Sequence, residues 1–91
     1  MSNINVIKFG ASWCKPCKEL SLRYEEVMST FDSITFETFD ISDVDPDDME
    51  VMNKLGVTQV PSIVVKVDGV NKGFIQTSNP EKIISFIRLF L

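Results

Sequence analysis

The chain has 91 residues, a formal net charge of −4 and a hydrophobic content of 44%. This length allows one small domain, which buries only about 60–65% of the surface that its unfolded chain exposes. The hydrophobic content is typical of a globular protein and excludes a disordered one. The negative charge argues against nucleic acid as a partner. We therefore expect a single domain over residues 1–91.

No targeting signal is visible in the sequence. Residues 1–5 contain neither a basic segment nor an apolar one, so we expect no secretory signal peptide. The apolar runs are too short to span a bilayer, which argues against a membrane partner. We expect a cytoplasmic protein, and in that reducing compartment a lone cysteine pair is more often catalytic or metal-binding than structural.

The first part of the chain predicts a strand, a helix and a second strand. Residues 4–9 are mostly apolar and β-branched, as in a central strand that is covered on both faces. A helix is predicted to begin at Cys14 or Lys15 and to end at residues 32–33, because apolar residues recur at helical spacing. Its predicted inner face consists of Leu20, Tyr24, Val27, Met28 and Phe31. Residues 34–41 form the second predicted strand.

The middle of the chain predicts a short helix. Asp45 is suited to the N-cap and Pro46 to the first helical position, and Gly56 can end the helix. The predicted inner face of this helix consists of Met49, Met52 and Leu55.

The last third predicts a hairpin and a helix. Residues 62–67 and 70–76 are strand-like, and the Asp-Gly pair between them is a tight-turn signal, so these strands should be antiparallel. Asn79 and Pro80 begin a last helix, whose predicted inner face consists of Ile83, Ile84, Ile87 and Leu91. The order β-α-β-α-β-β-α contains a parallel, right-handed crossover followed by the hairpin. The predicted fold class is α/β, with a mixed four-stranded sheet and helices on both faces.

The two cysteines of the chain lie in the stretch Trp-Cys-Lys-Pro-Cys, where the first strand ends and the first helix begins. The free N–H groups and the positive dipole end of a helix stabilise a thiolate, so the pKa of Cys14 should fall below about 8.5 and approach about 7. Lys15 and Lys18 add positive charge nearby. Cys17, one helical turn further on, should point back toward Cys14 from a more buried position. Pro16 fits the first turn because it needs no N–H partner, and it limits the separation of the pair.

This arrangement suits an attacking thiol, Cys14, and a resolving thiol, Cys17, that exchange electrons with a substrate disulfide. A zinc site needs about four N or S ligands, whereas the chain has no His and only two Cys. An iron–sulfur cluster shared by two copies would require the loop to open, which Pro16 disfavours. A purely structural disulfide across so short a loop would stabilise the fold least. We expect no metal, and no cofactor other than a redox-active disulfide between Cys14 and Cys17.

Several motifs resemble those of the thioredoxin family over nearly the whole chain. The pattern Phe-x-Ala-x-Trp-Cys-Lys-Pro-Cys-Lys at residues 9–18 resembles the active-site segment of that family, usually written WCGPC. Val60-Pro61 before an apolar strand resembles its cis-proline loop, and the Gly69 hairpin leading into a final helix is a third matching element. Because thirteen residues precede Cys14, the core resembles glutaredoxins and the short glutaredoxin-like thioredoxins.

The resemblance implies a minimal thioredoxin fold and a protein-disulfide reductase that serves electron transport and cell redox homeostasis. Cys14 would attack protein disulfides and Cys17 would resolve the mixed disulfide. Thioredoxin reductase or glutathione would donate electrons, and ribonucleotide reductase would be a client. Pro61 would be cis and lie against the cysteines, the backbone of Val60 would bind an extended substrate segment, and Trp13 would pack beside the disulfide. We expect a monomer.

The chain departs from the family pattern at three positions. Lys15 replaces a Gly and, by favouring the thiolate, should make the potential less reducing than about −270 mV. Lys8 aligns with a buried Asp of the family. Three states are open to Lys8: a neutral buried amine, an ammonium paired with a carboxylate such as Asp40, and a side chain that extends toward solvent. We favour the pairing and the extension toward solvent. Thr77 replaces a Gly near the substrate groove. Lys15, Pro16 and Lys8 are the residues that we assign to redox tuning.

Two other functions stay open. A glutathione-dependent glutaredoxin is one, since Thr-x-Val-Pro at residues 58–61 is similar to the TVP loop of glutaredoxins. However, Thr-Ser-Asn at residues 77–79 stands in place of their Gly-Gly and acidic pair, although the helix N-terminus there offers an anion site. A non-catalytic accessory subunit is the other, docking through the groove around Trp13 and Pro61. The apolar residues 86–91 would then complete the core or form a dimer patch.

Overall fold

The computed structural model of the protein describes residues 3–43, 54 and 59–91. The described strands are β1 (Ile4–Gly10), β2 (Ile34–Asp40), β3 (Ser62–Val67) and β4 (Val70–Ile75). The described helices are α1 (Lys15–Thr30) and α2 (Pro80–Arg88), and a short 3-10 turn, Ile41–Asp43, follows β2. The helix predicted to begin at Asp45 lies outside the described residues except for Lys54, which is helical. No helix among the described residues has the length and apolar character needed to cross a membrane.

The described strands form one mixed sheet in the order β2-β1-β3-β4. β1 and β2 run parallel, with Ile4 opposite Ile34, and α1 forms the crossover between them. β3 pairs antiparallel with both β1 and β4. The predicted four-stranded mixed sheet is therefore confirmed. Both α1 and α2 pack on the same face of the sheet, and the prediction of helices on both faces is not tested by the described residues.

The main core lies between the sheet and the two helices. Its buried side chains come from β1, α1, β3 and α2: Ile4, Val6, Leu20, Tyr24, Val27, Ile63, Val65, Ile83 and Ile87. Side chains alternate across a strand, so Phe9 and Val64 point to the opposite face, where they are also buried. β1 is thus a central strand with both faces covered, and the cysteine segment follows its C-terminal end.

Local sequence signals account for the hairpin and for the start of α2. Asp68 (φ 53°) and Gly69 (φ 81°) both have positive φ, which a tight two-residue hairpin turn requires. The side chain of Asn79 caps α2 by accepting the N–H groups of Glu81 at 2.9 Å and Lys82 at 3.4 Å. Proline follows in the first helical turn, where no N–H partner is needed. Both features agree with the predictions.

The prediction that Met28 and Leu91 lie on the inner faces of their helices is wrong. Met28 of α1 is 39% exposed and Leu91 is 70% exposed. Successive residues of a helix are rotated by about 100°, so Val27 already points inward and Met28 turns toward solvent. Leu91 lies beyond the last residue of α2, Arg88, and is not on the inner face of that helix. β2 and β4 each end one residue before the predicted boundary.

Candidate active site

Cys14 and Cys17 lie at the start of α1, just beyond the end of β1. Cys14 is the N-cap of the helix and has an extended backbone. The two sulfurs are bonded to each other, and the Cα atoms are 5.2 Å apart. The backbone N–H of Cys17 donates to the Cys14 Sγ at 3.2 Å, and Pro16 occupies the first turn as predicted. The sulfur of Cys14 therefore takes the position that an oxygen takes in most helix caps.

The two cysteines differ in their surroundings and not in their exposure. Each residue is 6% exposed, so the prediction that Cys17 is the more buried of the two is wrong for the disulfide form. Cys14 caps the helix, whereas Cys17 packs against Gly10 at the end of β1. A Cβ at Gly10 would lie 3.6 Å from the Cys17 Cβ and 3.8 Å from its Sγ. The backbone at the end of β1 is therefore in van der Waals contact range of the Cys17 side chain.

The proline loop before β3 faces Cys14. The Val60–Pro61 peptide bond is cis, as the resemblance implied. The carbonyl oxygen of Val60 lies 3.7 Å from the Cys14 Sγ, and Pro61 is buried. Trp13, which precedes Cys14, is 70% exposed. The structure brings Cys14, Val60 and Pro61 together, and Trp13, the residue before Cys14, is exposed at the surface.

Hydrogen bonds tie the loop before Cys14 to the end of β2. The N–H of Ser12 donates to the Ser42 Oγ at 2.6 Å, and its hydroxyl donates to the same atom at 2.9 Å. The N–H of Ser42 donates to the Asp40 carboxylate at 2.8 Å. This backbone bond, together with one from the Ser42 hydroxyl, lowers the pKa of Asp40. Neither serine was predicted, because residues 30 positions apart carry no sequence signal of contact.

Lys8 is buried between β1 and α1. The residue is 8% exposed, its Nζ donates to the Ser21 Oγ at 3.2 Å, and Nζ lies 4.4 Å from the centre of the Tyr24 ring. Burial lowers the pKa of Lys8, because the charged amine is desolvated. The favoured predictions, pairing with Asp40 or extension toward solvent, are both wrong: Lys8 forms no ion pair with the described residues. Asp40 lies two positions beyond Thr38, the residue opposite Lys8 on β2. Its carboxylate accepts the N–H of Ser42 instead.

A cavity of about 180 Å³ lies where the C-terminal ends of β1 and β2 meet the first turns of α1. Its lining includes Lys8, Cys17, Ser21, Asp40 and Pro61. The volume is large enough for several water molecules, each of which takes up about 30 Å³ in the liquid. Lys8 and Cys17 therefore border the same cavity.

The other predicted residues lie around this centre. Lys15 and Lys18 are on the exposed surface of α1. The hydroxyl oxygen of Thr77 accepts the N–H of Asn79 at 3.1 Å at the start of α2. Ser21, which was not predicted, has a signal in helical spacing: it lies four residues after Cys17, and its hydroxyl donates to the Cys17 carbonyl at 3.0 Å. Within residues 3–43, 54 and 59–91, no group of three His, Cys, Asp or Glu side chains is placed to hold a metal.

Comparisons with known proteins cover most of the chain. The family model described as Thioredoxin matches residues 1–89. The thioredoxin of Borreliella burgdorferi is 34% identical over 84 residues, which are 87% of this chain and 68% of that protein. Thioredoxin-1 of Schizosaccharomyces pombe is 29% identical over 83 residues, 91% of this chain and 77% of that protein. The solution structure of oxidised thioredoxin from Plasmodium falciparum superposes with a TM-score of 0.78 at 25% identity, covering 97% of this chain and 81% of that one.

Proposed function

The chain belongs to the thioredoxin family, and from this premise we propose that it reduces disulfide bonds in other proteins, with Cys14 as the attacking thiol and Cys17 as the resolving thiol. Its mixed sheet is a minimal form of the thioredoxin fold, and the family and the cysteine pair make it a dithiol–disulfide oxidoreductase. The observation that supports the two roles is the 3.2 Å hydrogen bond from the Cys17 N–H to the Cys14 Sγ.

The first step belongs to Cys14 because of its place at the helix start. After reduction, its sulfur remains beside the free N–H groups and the positive end of α1, which favour the thiolate. Lys15 and Lys18 add positive charge on the first turns of the helix. The Cys14 thiolate attacks one sulfur of the substrate disulfide, and the other substrate sulfur leaves with its electron pair.

The second step belongs to Cys17, one helical turn away. Its thiolate attacks the Cys14 Sγ, displaces the bound substrate sulfur and closes the Cys14–Cys17 disulfide. In the closed disulfide the Cα atoms are 5.2 Å apart, which is within the usual range for this bond. Pro16 keeps the turn between the two cysteines from opening. Thioredoxin reductase or glutathione then returns two electrons to the disulfide.

The substrate surface is formed by Trp13, Val60 and Pro61. Val60 and Pro61 lie beside Cys14, with the Val60 carbonyl 3.7 Å from its sulfur, so the Val60 backbone can hydrogen-bond a substrate segment that reaches this atom. The exposed ring of Trp13 offers apolar contact area next to the same point. We assign these residues to binding, and Lys15, Pro16 and Lys8 to tuning of the cysteine pair.

Reduction of insulin disulfides tests the proposal. The protein is assayed once with thioredoxin reductase and NADPH and once with glutathione, glutathione reductase and NADPH. We expect turnover that requires both cysteines, with no turnover in Cys14→Ser and a trapped mixed disulfide in Cys17→Ser. Ser29→Ala, at the far end of α1, is a matched control and should keep full turnover. Turnover in the Cys14→Ser variant would contradict the assignment of the attacking sulfur.

The start of α2 favours thioredoxin reductase over glutathione as the electron donor. A glutathione carboxylate bound there would need the free N–H groups of the first turn. The side chain of Asn79 already accepts the N–H groups of Glu81 and Lys82. We therefore expect the reductase assay to be the faster of the two. Faster turnover with glutathione would favour the glutaredoxin alternative instead.

An accessory, non-catalytic role is the remaining alternative, and a double variant distinguishes it. Cys14→Ser combined with Cys17→Ser removes both sulfurs, so catalysis must stop, whereas a role in assembly through the surface around Trp13 survives. We further propose a cytoplasmic monomer with ribonucleotide reductase among its clients, from family resemblance alone. Light scattering of the purified chain tests the monomer, and single-turnover oxidation of the reduced protein by oxidised ribonucleotide reductase tests the client.

A further inference from the structure

The exposed side chain of Trp13 belongs to a tight turn just before α1. The Cys14 N–H donates to the Ala11 carbonyl at 3.2 Å, which closes a β-turn. Ser12 and Trp13 are the two central residues of this turn. Ala11 is buried and packs with both cysteines, whereas Trp13 is 70% exposed. Because so exposed a ring makes few packing contacts, the position of Trp13 depends on how firmly the turn is held.

Ser42, in the 3-10 turn after β2, holds the centre of this β-turn. Its Oγ accepts the Ser12 N–H at 2.6 Å and the Ser12 hydroxyl at 2.9 Å. A serine hydroxyl has two lone pairs and one hydrogen. Ser12 occupies both lone pairs, and the hydrogen is donated to the Asp40 carboxylate. The hydrogen-bonding capacity of the Ser42 hydroxyl is therefore fully used, and rotation of this side chain would break several bonds at once.

The carboxylate of Asp40 keeps Ser42 in this orientation. It accepts the Ser42 N–H at 2.8 Å as well as the hydroxyl, and these bonds lower the pKa of Asp40. Asp40 is therefore ionised at neutral pH, and hydrogen bonds to an ionised group are roughly twice as strong as neutral ones. Ile41, which lies between the two residues in the chain, packs against Ala11 and the cysteines. The end of β2 thus holds the β-turn by polar and apolar contacts together.

We propose that Ser42, oriented by Asp40, fixes this β-turn so that Trp13 is ready to dock protein substrates, and that it thereby favours protein disulfides over small ones. The proposal rests on the assignment of Trp13 to the substrate surface. Ser12, Ser42 and Asp40 are positioning residues, because they act through Trp13 and not on a sulfur. A protein segment that binds an already ordered side chain loses less conformational entropy on docking. A small disulfide reaches Cys14 without needing this contact.

A comparison of a protein substrate with a small one tests the proposal. Insulin reduction is measured against insulin concentration with dithiothreitol as the electron donor, because a reductase could itself dock on Trp13. In Ser42→Ala we expect KM for insulin to rise roughly 3- to 10-fold, as for the loss of about one hydrogen bond. The kcat for insulin, and the rate at which the reduced protein reacts with dithiobis(nitrobenzoate), should stay within about twofold. A general disturbance of the cysteine site would instead slow both substrates.

Three further serine variants show whether the effect passes through the hydroxyl of Ser42. Ser42→Thr keeps a hydroxyl at this position and should restore the KM for insulin. Ser12→Ala keeps the N–H bond to Ser42, so its KM should rise less, and it should add nothing when combined with Ser42→Ala. Ser29→Ala is the matched control, because it removes another exposed serine hydroxyl, one that donates to the Glu26 carbonyl at 3.2 Å. It should leave the kinetics with both substrates unchanged.

An unchanged KM for insulin in Ser42→Ala, or an equal loss of rate with both substrates, overturns the proposal. Asp40→Ala keeps the test available if Ser42→Ala does not fold, which circular dichroism shows. This variant leaves Ser42 without its acceptor, so an unchanged KM in the folded protein overturns the proposal as well. Trp13→Ala distinguishes the two possible failures. If it too leaves KM for insulin unchanged, the substrate surface of the proposed function is refuted, whereas a raised KM there limits the failure to Ser42.

Discussion

The two described helices begin in the same way and differ in chemistry. α1 is capped by Cys14 and α2 by Asn79, and each has a proline in its first turn. The Cys14 sulfur accepts the N–H of Cys17 at 3.2 Å, and the Asn79 oxygen accepts the N–H of Glu81 at 2.9 Å. The first turn of α1 contains no acidic residue, whereas that of α2 contains Glu81.

The difference shows how one structural feature serves two purposes. In α2 an amide oxygen satisfies the free N–H groups and an acid complements the helix dipole, so the whole effect is stability. In α1 a sulfur takes the same place, and the N–H groups that a cap would satisfy favour a reactive thiolate. An acid in that turn would repel the thiolate, and Lys15 and Lys18 are found near it instead.

The largest expected effect comes from replacing each of the two cap residues, in separate variants, by serine. Cys14→Ser should abolish insulin reduction, because it removes the sulfur that we propose attacks the substrate, while the fold is kept since Ser is a good helix cap. Asn79→Ser is the matched control and should keep full turnover with stability changed by a few tenths of a kcal/mol at most. Loss of turnover in Asn79→Ser would show that the start of α2 also takes part in the reaction.

Moving a cysteine to the second helix start sharpens the comparison. In a chain with Cys14→Ser and Cys17→Ser, the substitution Asn79→Cys places a single thiol at the cap of α2. Its pKa should fall below about 8.5, but by less than that of Cys14 in Cys17→Ser, which should approach about 7. The reason is Glu81, which opposes the thiolate. The pH dependence of alkylation rate gives both values, and equal values would mean that the neighbouring charges contribute nothing.

The stability of α2 should depend on its cap. Asn79→Ala removes the acceptor of two N–H groups and should cost about 1 kcal/mol, which lowers the melting temperature of a domain this size by about 4–8 °C. Turnover should not change. Ser85→Ala, at an exposed position on the same helix, is the control and should change the free energy of unfolding by less than about 0.5 kcal/mol. Chemical denaturation measures both, and equal stability of the two variants would contradict the role of the cap.

The parts of the fold that could be predicted are those with a local cause. β3 has the predicted bounds, and the hairpin after it follows from Asp68 and Gly69, which tolerate the positive φ that the turn needs. The start of α2 follows from Asn79 and the proline after it. The position of Cys14 at the start of α1 was predictable for the same reason: a break after an apolar strand, followed by helical spacing.

The surroundings of the buried amine could not be predicted, because they depend on contacts between elements. Lys8 is on β1, while its neighbours Ser21 and Tyr24 are on α1. Whether a lysine pairs, extends or is buried depends on the space left between strand and helix, and sequence spacing does not contain that information. The same holds for the bond between Ser12 and Ser42, which fixes the loop before the cysteines.

The smallest expected effect concerns the charge beside the α1 cap. Lys15 favours the thiolate and hence the reduced protein, so Lys15→Gly should lower the redox potential, by less than the roughly 30 mV that one pKa unit of Cys14 represents. Glu81→Gln makes the corresponding change at α2 and should leave the potential unchanged. Equilibration with thiol–disulfide buffers measures both. Because Lys15 is exposed, added salt should reduce the difference. A potential that rises or stays constant in Lys15→Gly would show that the backbone N–H groups alone activate Cys14.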